Sequence, residues 1–423
     1  MSKAKRVHGL LECLVFVGIF LVCFILVMQT SMQHQIISRE GACSRGHANG
    51  LLYYIMDKEL SDLESFANGV EELNQRMFEH ILKPRVSGDF VVSPALFSIT
   101  LAFLALGGPE NDISEEIINA ASLPCDVDIL KQDLIIISNK VTITENGFKN
   151  SRNLSIFQFQ SEYETSAFID VDYNPDLFLE RTLKNVSISR YGDKFSESLF
   201  AQMSRSAISS YLQMETPFGQ TKFAIGSSLK LPSTSNQNAE KFWLSCSNVT
   251  ILQADSMQSQ IIIISNDKLS FVFFKPNSVL GFEILQEKIG SFQFSSIGDY
   301  PVIHNGTAQL QFSSHFSQEA INSSLNFALP LQAFGAVSIF EQDNDFPKFA
   351  LGCDEPLKVT QFWQNSNFDL RNVLKANFPE TKNDTGQMVA IIEGPILFYI
   401  RSSQGSPALI HVFGRVGQSG FEA

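Results

Sequence analysis

The chain has 423 residues, of which 44% are hydrophobic and 18% charged, with 37 Phe against two Trp. That composition excludes a disordered protein and describes a large core packed mainly with phenylalanine. A net charge of −13 excludes nucleic-acid binding by general electrostatics, which needs clustered Lys and Arg.

Lys3, Lys5 and Arg6 precede Cys13 to Met28, sixteen residues without a charge. A basic segment followed by an apolar core is the form of a secretory signal. The run is long for a signal core and short of the roughly 18–20 residues of a spanning helix. A cleaved signal peptide is the preferred reading and a retained signal anchor the alternative; both deliver the remainder to the secretory lumen. Membrane association follows only if the segment stays uncleaved. Residues 1–31 are assigned to this signal, 32–59 to a flexible polar arm, 60–417 to one folded domain and 418–423 to a tail.

Two features bear on that compartment. Six N-x-Ser/Thr sequons follow the signal, at Asn153, Asn185, Asn248, Asn305, Asn322 and Asn383, and they mark candidate glycosylation sites in a secreted chain. Beyond Cys13 and Cys23, the spacing of Cys43, Cys125, Cys246 and Cys353 fits neither a zinc site nor a disulfide scaffold. One or two bridges, or buried free thiols, are both open.

Further along, Leu63, Phe66, Val70, Leu73, Met77 and Phe78 recur at helical spacing and predict a helix over 60–80. Phe90 to Val92 reads as a short buried strand. Ser93-Pro94 opens a second helix, with Ser93 as N-cap and Pro94 at the first helical position. That helix, Ala95 to Leu106, is apolar nearly all round and therefore buried. Asp112 and Ser114 are both candidate caps for a third.

Strands are predicted at 134–137, 140–144, 167–173, 223–231, 249–252, 261–264, 269–274 and 309–312. Residues 175–213 read as mixed, polar and helix-like, and 319–331 as a helix. Leu357 to Trp363 is strand-like, and Asn372 to Gln387 loosens into an exposed polar loop. Met388 to Ile392, Pro395 to Ile400 and Ala408 to Val416 close the chain as strands. Helices come first and strands dominate later, with no repeat and no dividing linker, which predicts a single large α+β domain.

Other chemistry finds no support. Seven scattered His give no metal-ligand spacing. Gly417-Gln418-Ser419-Gly420 lacks the strand–turn–helix context of a nucleophile elbow. Phosphate-binding Gly-rich loops are absent. Arg181, Lys184, Arg190 and Lys194 are read as a solvated face rather than a sulfated-glycan patch. The pairs Glu71-Glu72 and Glu115-Glu116 read as helix surface. No catalytic residue, metal or cofactor is assigned.

The order of pieces resembles the serpin family. Asp89 to Gly108 is similar to its strand entering a buried helix, and Ser138-Asn139-Lys140 to its next sheet strand. Leu269 to Pro276 resembles a hydrophobic strand ending in Leu-Pro, with Lys275 in place of the Leu. Pro395 to Arg401 and Phe413 to Val416 resemble the two closing strands. The likeness runs in order from about residue 66 to 416.

The resemblance implies three β-sheets surrounded by helices, with an exposed reactive-centre loop near the C-terminus. In inhibitory members a serine protease cuts the loop, which then inserts into the central sheet and traps the acylated enzyme. The implied hinge is Asn372, Leu374, Lys375, Ala376, Asn377, Phe378 and Pro379, where inhibitors carry an acidic residue, a glycine and small residues. In the preferred register Lys375 and Asn377 would face the core, and burying an unpaired ammonium costs on the order of several kcal/mol. A slip of one residue would bury Leu374, Ala376 and Phe378 instead. Pro379 loses a ladder bond in either register.

The family's Ser–Asn–His cluster where the sheet opens keeps only Ser93, with Gly226 or Ser227 at the asparagine and Gln364 at the histidine. The reading is a secreted, non-inhibitory binding or carrier protein, or a cleavable substrate. Its alternative is an inhibitor of an extracellular serine protease, with the scissile bond around Gln387, Met388 and Val389. Expected partners are such a protease or a small ligand, and the expected state is a monomer.

Overall fold

The computed structural model describes residues 61–82, 88–108, 112–123, 162–170, 186–191, 223–230, 241–313, 316, 320–341, 346, 349, 357–378, 388–403 and 408–417. All lie in one compact unit, Glu59–Ala423. The signal, the arm, the 134–144 strands and the cysteines other than Cys246 fall outside the described residues.

Helix α1 (Ser61–Met77) buries Phe66, Val70, Leu73 and Met77, three and four residues apart, and runs into a wide helical turn over Phe78–Leu82. Strand β1 (Phe90–Val92) leads into α2 (Pro94–Gly107). The Ser93 side chain accepts from the Leu96 N–H, so the predicted cap forms. Every residue of α2 is buried, as its uniform apolarity requires. In α3 (Asp112–Ala120), Ser114 is inside the helix and not at its cap; its hydroxyl donates to the Ala105 carbonyl and ties α3 to α2. Glu71 and Glu116 are not mere surface: each accepts a distant backbone N–H, from Phe294 and Ser338 respectively.

The strands are β2 (Glu162–Asp170), β3 (Val186–Tyr191), β4 (Phe223–Lys230), β5 (Phe242–Ala254), β6 (Ser259–Ser265), β7 (Leu269–Pro276), β8 (Val302–Phe312), β9 (Ile321–Asn326), β10 (Gln361–Phe368), β11 (Val389–Ile392), β12 (Ile396–Ser402) and β13 (Ile410–Val416). Between them lie α4 (Val279–Lys288) and α5 (Ala328–Ala333). Two expectations are corrected. Residues 321–326 form a strand where a helix was predicted, because Ile321, Ser323 and Leu325 share one face while pairing with β10. Within the helix-like 175–213, residues 186–191 extend along β2.

Five strands form one sheet in the order β3-β2-β4-β10-β9, and eight form another in the order β1-β13-β12-β7-β6-β5-β8-β11. The three-sheet expectation takes this shape because the long β5 belongs to two ladders at once, pairing with β6 on one side and β8 on the other. The arrangement is α+β. Helix α2 anchors the five-stranded sheet through Phe97, whose ring lies 5.3 Å from Phe362 of β10 and 4.4 Å from Phe327. The larger sheet buries Tyr399 stacked on Phe413 at 4.4 Å.

Arg415 is also buried, under the far end of β1. Its guanidinium donates to the Gly88 carbonyl and to Gln286, and lies 4.9 Å from the Phe90 ring. Burial pulls its pKa down to about 10, against the opposing pull of Asp89. This single side chain joins α4 to the β1–β13 edge.

Candidate functional site: a parallel seam and the helix beside it

Strands β4 and β10 run parallel and hydrogen-bond directly, from Gln361 opposite Ala224 to Asn367 opposite Lys230. Seven paired residues make a seam about 23 Å long. Neither strand is an edge, since β2 and β9 flank them. A strand could enter between β4 and β10 only by parting this seam.

One side chain fastens it. Gln364, on β10, accepts from the Ser93 N–H at 2.7 Å and donates to the Ser93 carbonyl at 3.0 Å. The same Nε2 donates to Ser227 Oγ on β4 at 3.3 Å. The Ser93 hydroxyl donates to the His411 carbonyl at 2.6 Å, which fixes the start of α2 to β13. All four residues are buried. The resemblance put Gly226 or Ser227 at the asparagine position and Gln364 at the histidine position, and read the cluster as keeping only Ser93. The structure corrects that: a primary amide both donates and accepts, so Gln364 bridges helix and seam without an imidazole.

His411 contributes its backbone here, while its ring points to Ser402, with Nε2 3.0 Å from the hydroxyl. Complete burial pushes its pKa down to about 3. The ring is therefore neutral at physiological pH.

The implied hinge is the larger correction. Leu370–Asn377 is not an exposed loop but a helix, α6. Asp369 caps it, accepting from the Asn372 N–H at 2.9 Å. Leu370, Val373, Leu374 and Phe378 are buried, whereas Lys375 and Asn377 are half-exposed and Ala376 is exposed. The pattern Asp369-Leu370-x-x-Val373-Leu374-x-x-x-Phe378 is a cap followed by apolar residues at helical spacing. That signal was in the sequence and was missed.

Three contacts dock α6 on the eight-stranded sheet. Arg371 places its guanidinium 5.2 Å from the Phe242 ring. Phe378 meets Phe271 edge-on at 5.5 Å. Asn266, in the β6–β7 turn, donates to Asn377 Oδ1 at 3.2 Å. Phe242, Phe271 and Asn266 lie more than a hundred residues from their partners, so no local pattern announces them.

Residues 378–388 connect α6 to β11; of these 379–387, with Pro379, Asn383 and Gln387 among them, lie outside the described residues. Beyond them the chain is already sheet. The Met388 carbonyl accepts from Gln309 N at 2.8 Å, and Val389 opens β11. Of the candidate scissile region, Gln387 lies outside the described residues, Met388 is exposed, and Val389 is already in the strand.

Asn248, Asn305 and Asn322 are exposed on strands; Asn153 and Asn185 lie outside the described residues. Of Arg181, Lys184, Arg190 and Lys194, only Arg190 is described, on β3. Among the described residues no group of His, Cys, Asp or Glu could hold a metal ion, and no helix is long and apolar enough to cross a membrane. Cys246 is a buried free thiol, its pKa pushed up to about 12 by desolvation.

No protein-family model and no curated protein matches the sequence. Solved structures do match in fold. A highly specific serpin from the insect Tenebrio molitor superposes with a TM-score of 0.62 at 13% identity, over 85% of this chain and 98% of that one. Uncleaved ovalbumin gives 0.61 at 14% identity, over 83% and 99%. Human thyroxine-binding globulin, solved with its hormone, gives 0.60 at 9% identity, over 84% and 98%. The chain has the serpin fold, in a divergent sequence.

Proposed function

We propose that this protein is a secreted, serpin-fold binding or carrier module that does not trap proteases and whose 379–387 segment is at most a cleavage substrate. The observation that carries this reading is α6. Entry of the hinge into the β4–β10 seam requires unwinding a capped helix with four buried apolar side chains, at about 1.5–3 kcal/mol each, or roughly 6–12 kcal/mol. One register then buries Lys375 and Asn377 and recovers only Val373, which shares their face. The other re-buries Leu374 and Phe378, yet still puts Pro379 into a central ladder. A small apolar molecule is the favoured ligand class, consistent with a structural relative that binds thyroxine.

The second reading, an inhibitor of an extracellular serine protease, is favoured by the seam itself, which keeps two parallel neighbours able to take a strand between them. One experiment separates the two. The purified protein is incubated with trypsin-, chymotrypsin- and elastase-like enzymes, then examined by denaturing gel and by thermal unfolding. A nicked chain without an adduct, with Tm raised by no more than a few degrees, is expected. An SDS-stable complex, or a large rise in Tm after cleavage, would overturn the proposal.

A further inference from the structure

Two of the sequons meet across one strand pair. Asn248-Val249-Thr250 lies on β5 and Asn305-Gly306-Thr307 on β8, and the antiparallel register sets Val249 opposite Gly306 and Thr250 opposite Asn305. At the other end the register shifts, so Ser247 and Asn248 together face Thr307. The two acceptor asparagines are thus diagonal neighbours, about 7–8 Å apart, and both are exposed. Thr250 donates to Asn305 Oδ1 at 3.4 Å. That bond uses the amide oxygen of one sequon and the hydroxyl of the other, and leaves the sugar-accepting nitrogen outside it. Gly306 has φ +148°, a conformation that suits glycine and no other residue between these two positions.

Beside the pair, β8 carries apolar side chains into solvent. Val302 is 60% exposed and Ile303, two residues before Asn305, is 50% exposed. Ile303 is the extra residue of a second bulge, between the pairs Ile251–His304 and Leu252–Val302. Adjacent exposed aliphatics on a strand invite association unless something covers them.

We propose that Asn248 and Asn305 form a single glycan-bearing patch whose sugars cover Val302 and Ile303. The inference rests on the reading that the chain enters the secretory lumen. The modification is group transfer from a lipid diphosphate-linked oligosaccharide. The anomeric carbon forms a bond to Asn Nδ2 as its bond to the diphosphate oxygen breaks. The amide loses one proton and the lipid diphosphate departs. The amide oxygen is retained, so the Thr250–Asn305 bond survives.

The test is expression of the full chain in a eukaryotic cell line. Glycopeptides are then mapped after enzymatic release in 18O-labelled water, which tags each formerly occupied Asn. Occupancy of Asn248 or Asn305 is expected. Enzymatic deglycosylation should raise binding of an apolar dye at least two-fold, and V302S/I303S should abolish that rise. A lumenal chain with sugar at Asn322 but none at Asn248 or Asn305 overturns the inference and leaves secretion standing. A chain with no sequon modified and no lumenal protection overturns both. Occupancy without a change in dye binding overturns the covering role.

Discussion

The helical state of the hinge makes a prediction whose sign would reverse in an inserted strand. Leu374 is completely buried on α6 and its neighbour Lys375 is half-exposed. Leu374→Ala keeps the best helix former in place, so helix propensity does not fall and the loss is packing alone. A buried Leu→Ala replacement costs about 2–5 kcal/mol. Lys375→Ala, on the outer side, should change stability by no more than about 0.5 kcal/mol. Were the segment a strand in the seam with Lys375 inward, the order would reverse: removing the ammonium would stabilise by several kcal/mol and Leu374→Ala would be nearly silent. Urea unfolding of both variants, read as midpoint shifts at constant m, distinguishes the two. A silent Leu374→Ala, or a Lys375→Ala stabilised by more than about 1 kcal/mol, would refute the helical hinge.

Gln364→Leu leaves the Ser93 N–H, the Ser93 carbonyl and Ser227 Oγ without the partner they now share; at about 1–3 kcal/mol per orphaned buried group, a loss of at least ~3 kcal/mol is expected in urea unfolding. His411 has a folded pKa of about 3 against an ordinary 6.5, so the unfolded chain takes up a proton that the folded chain refuses. Its contribution to stability is full above pH 6.5 and drains as pH falls from 6.5 toward 3, by up to about 1.4 kcal/mol per unit. Unfolding curves at pH 7, 5 and 4 should therefore show a shallower acid loss in H411Q; equal slopes would contradict the neutral buried ring. Cys246, buried and pushed toward the neutral thiol, should resist a thiol-labelling reagent at pH 8 until denaturant is added, as followed by mass spectrometry.

How far the sequence could be read depended on where the partners of each segment lie. Helix α2 was legible because its determinants are local: a capping serine, a proline and an unbroken apolar run. The closing strands were legible for the same reason. Residues 319–331 misled because their apolar spacing suits a helix, and only the ladder to β10 decides for a strand. The hinge misled differently. Its cap and apolar spacing were local and visible, but the family resemblance imposed an extended loop on them. Gln364 was aligned with the family's histidine and read as a departure, yet its competence to replace an imidazole appears only when its amide is seen to face three groups at once.

The order of strands in the larger sheet has a consequence for biosynthesis. Its earliest strand, β1, pairs with β13, and β12 sits between β13 and β7, so the sheet stays in two pieces until β13 has been made. The Ser93–His411 bond alone spans 318 residues, which at roughly 5–20 residues per second is a wait of about 16–64 s. Throughout that interval the fourteen residues of α2 lack β13, the strand to which the Ser93 cap is tied. A nascent chain of this design stays adhesive until β13 has emerged, and removing that strand leaves the greasy helix without one wall of its enclosure.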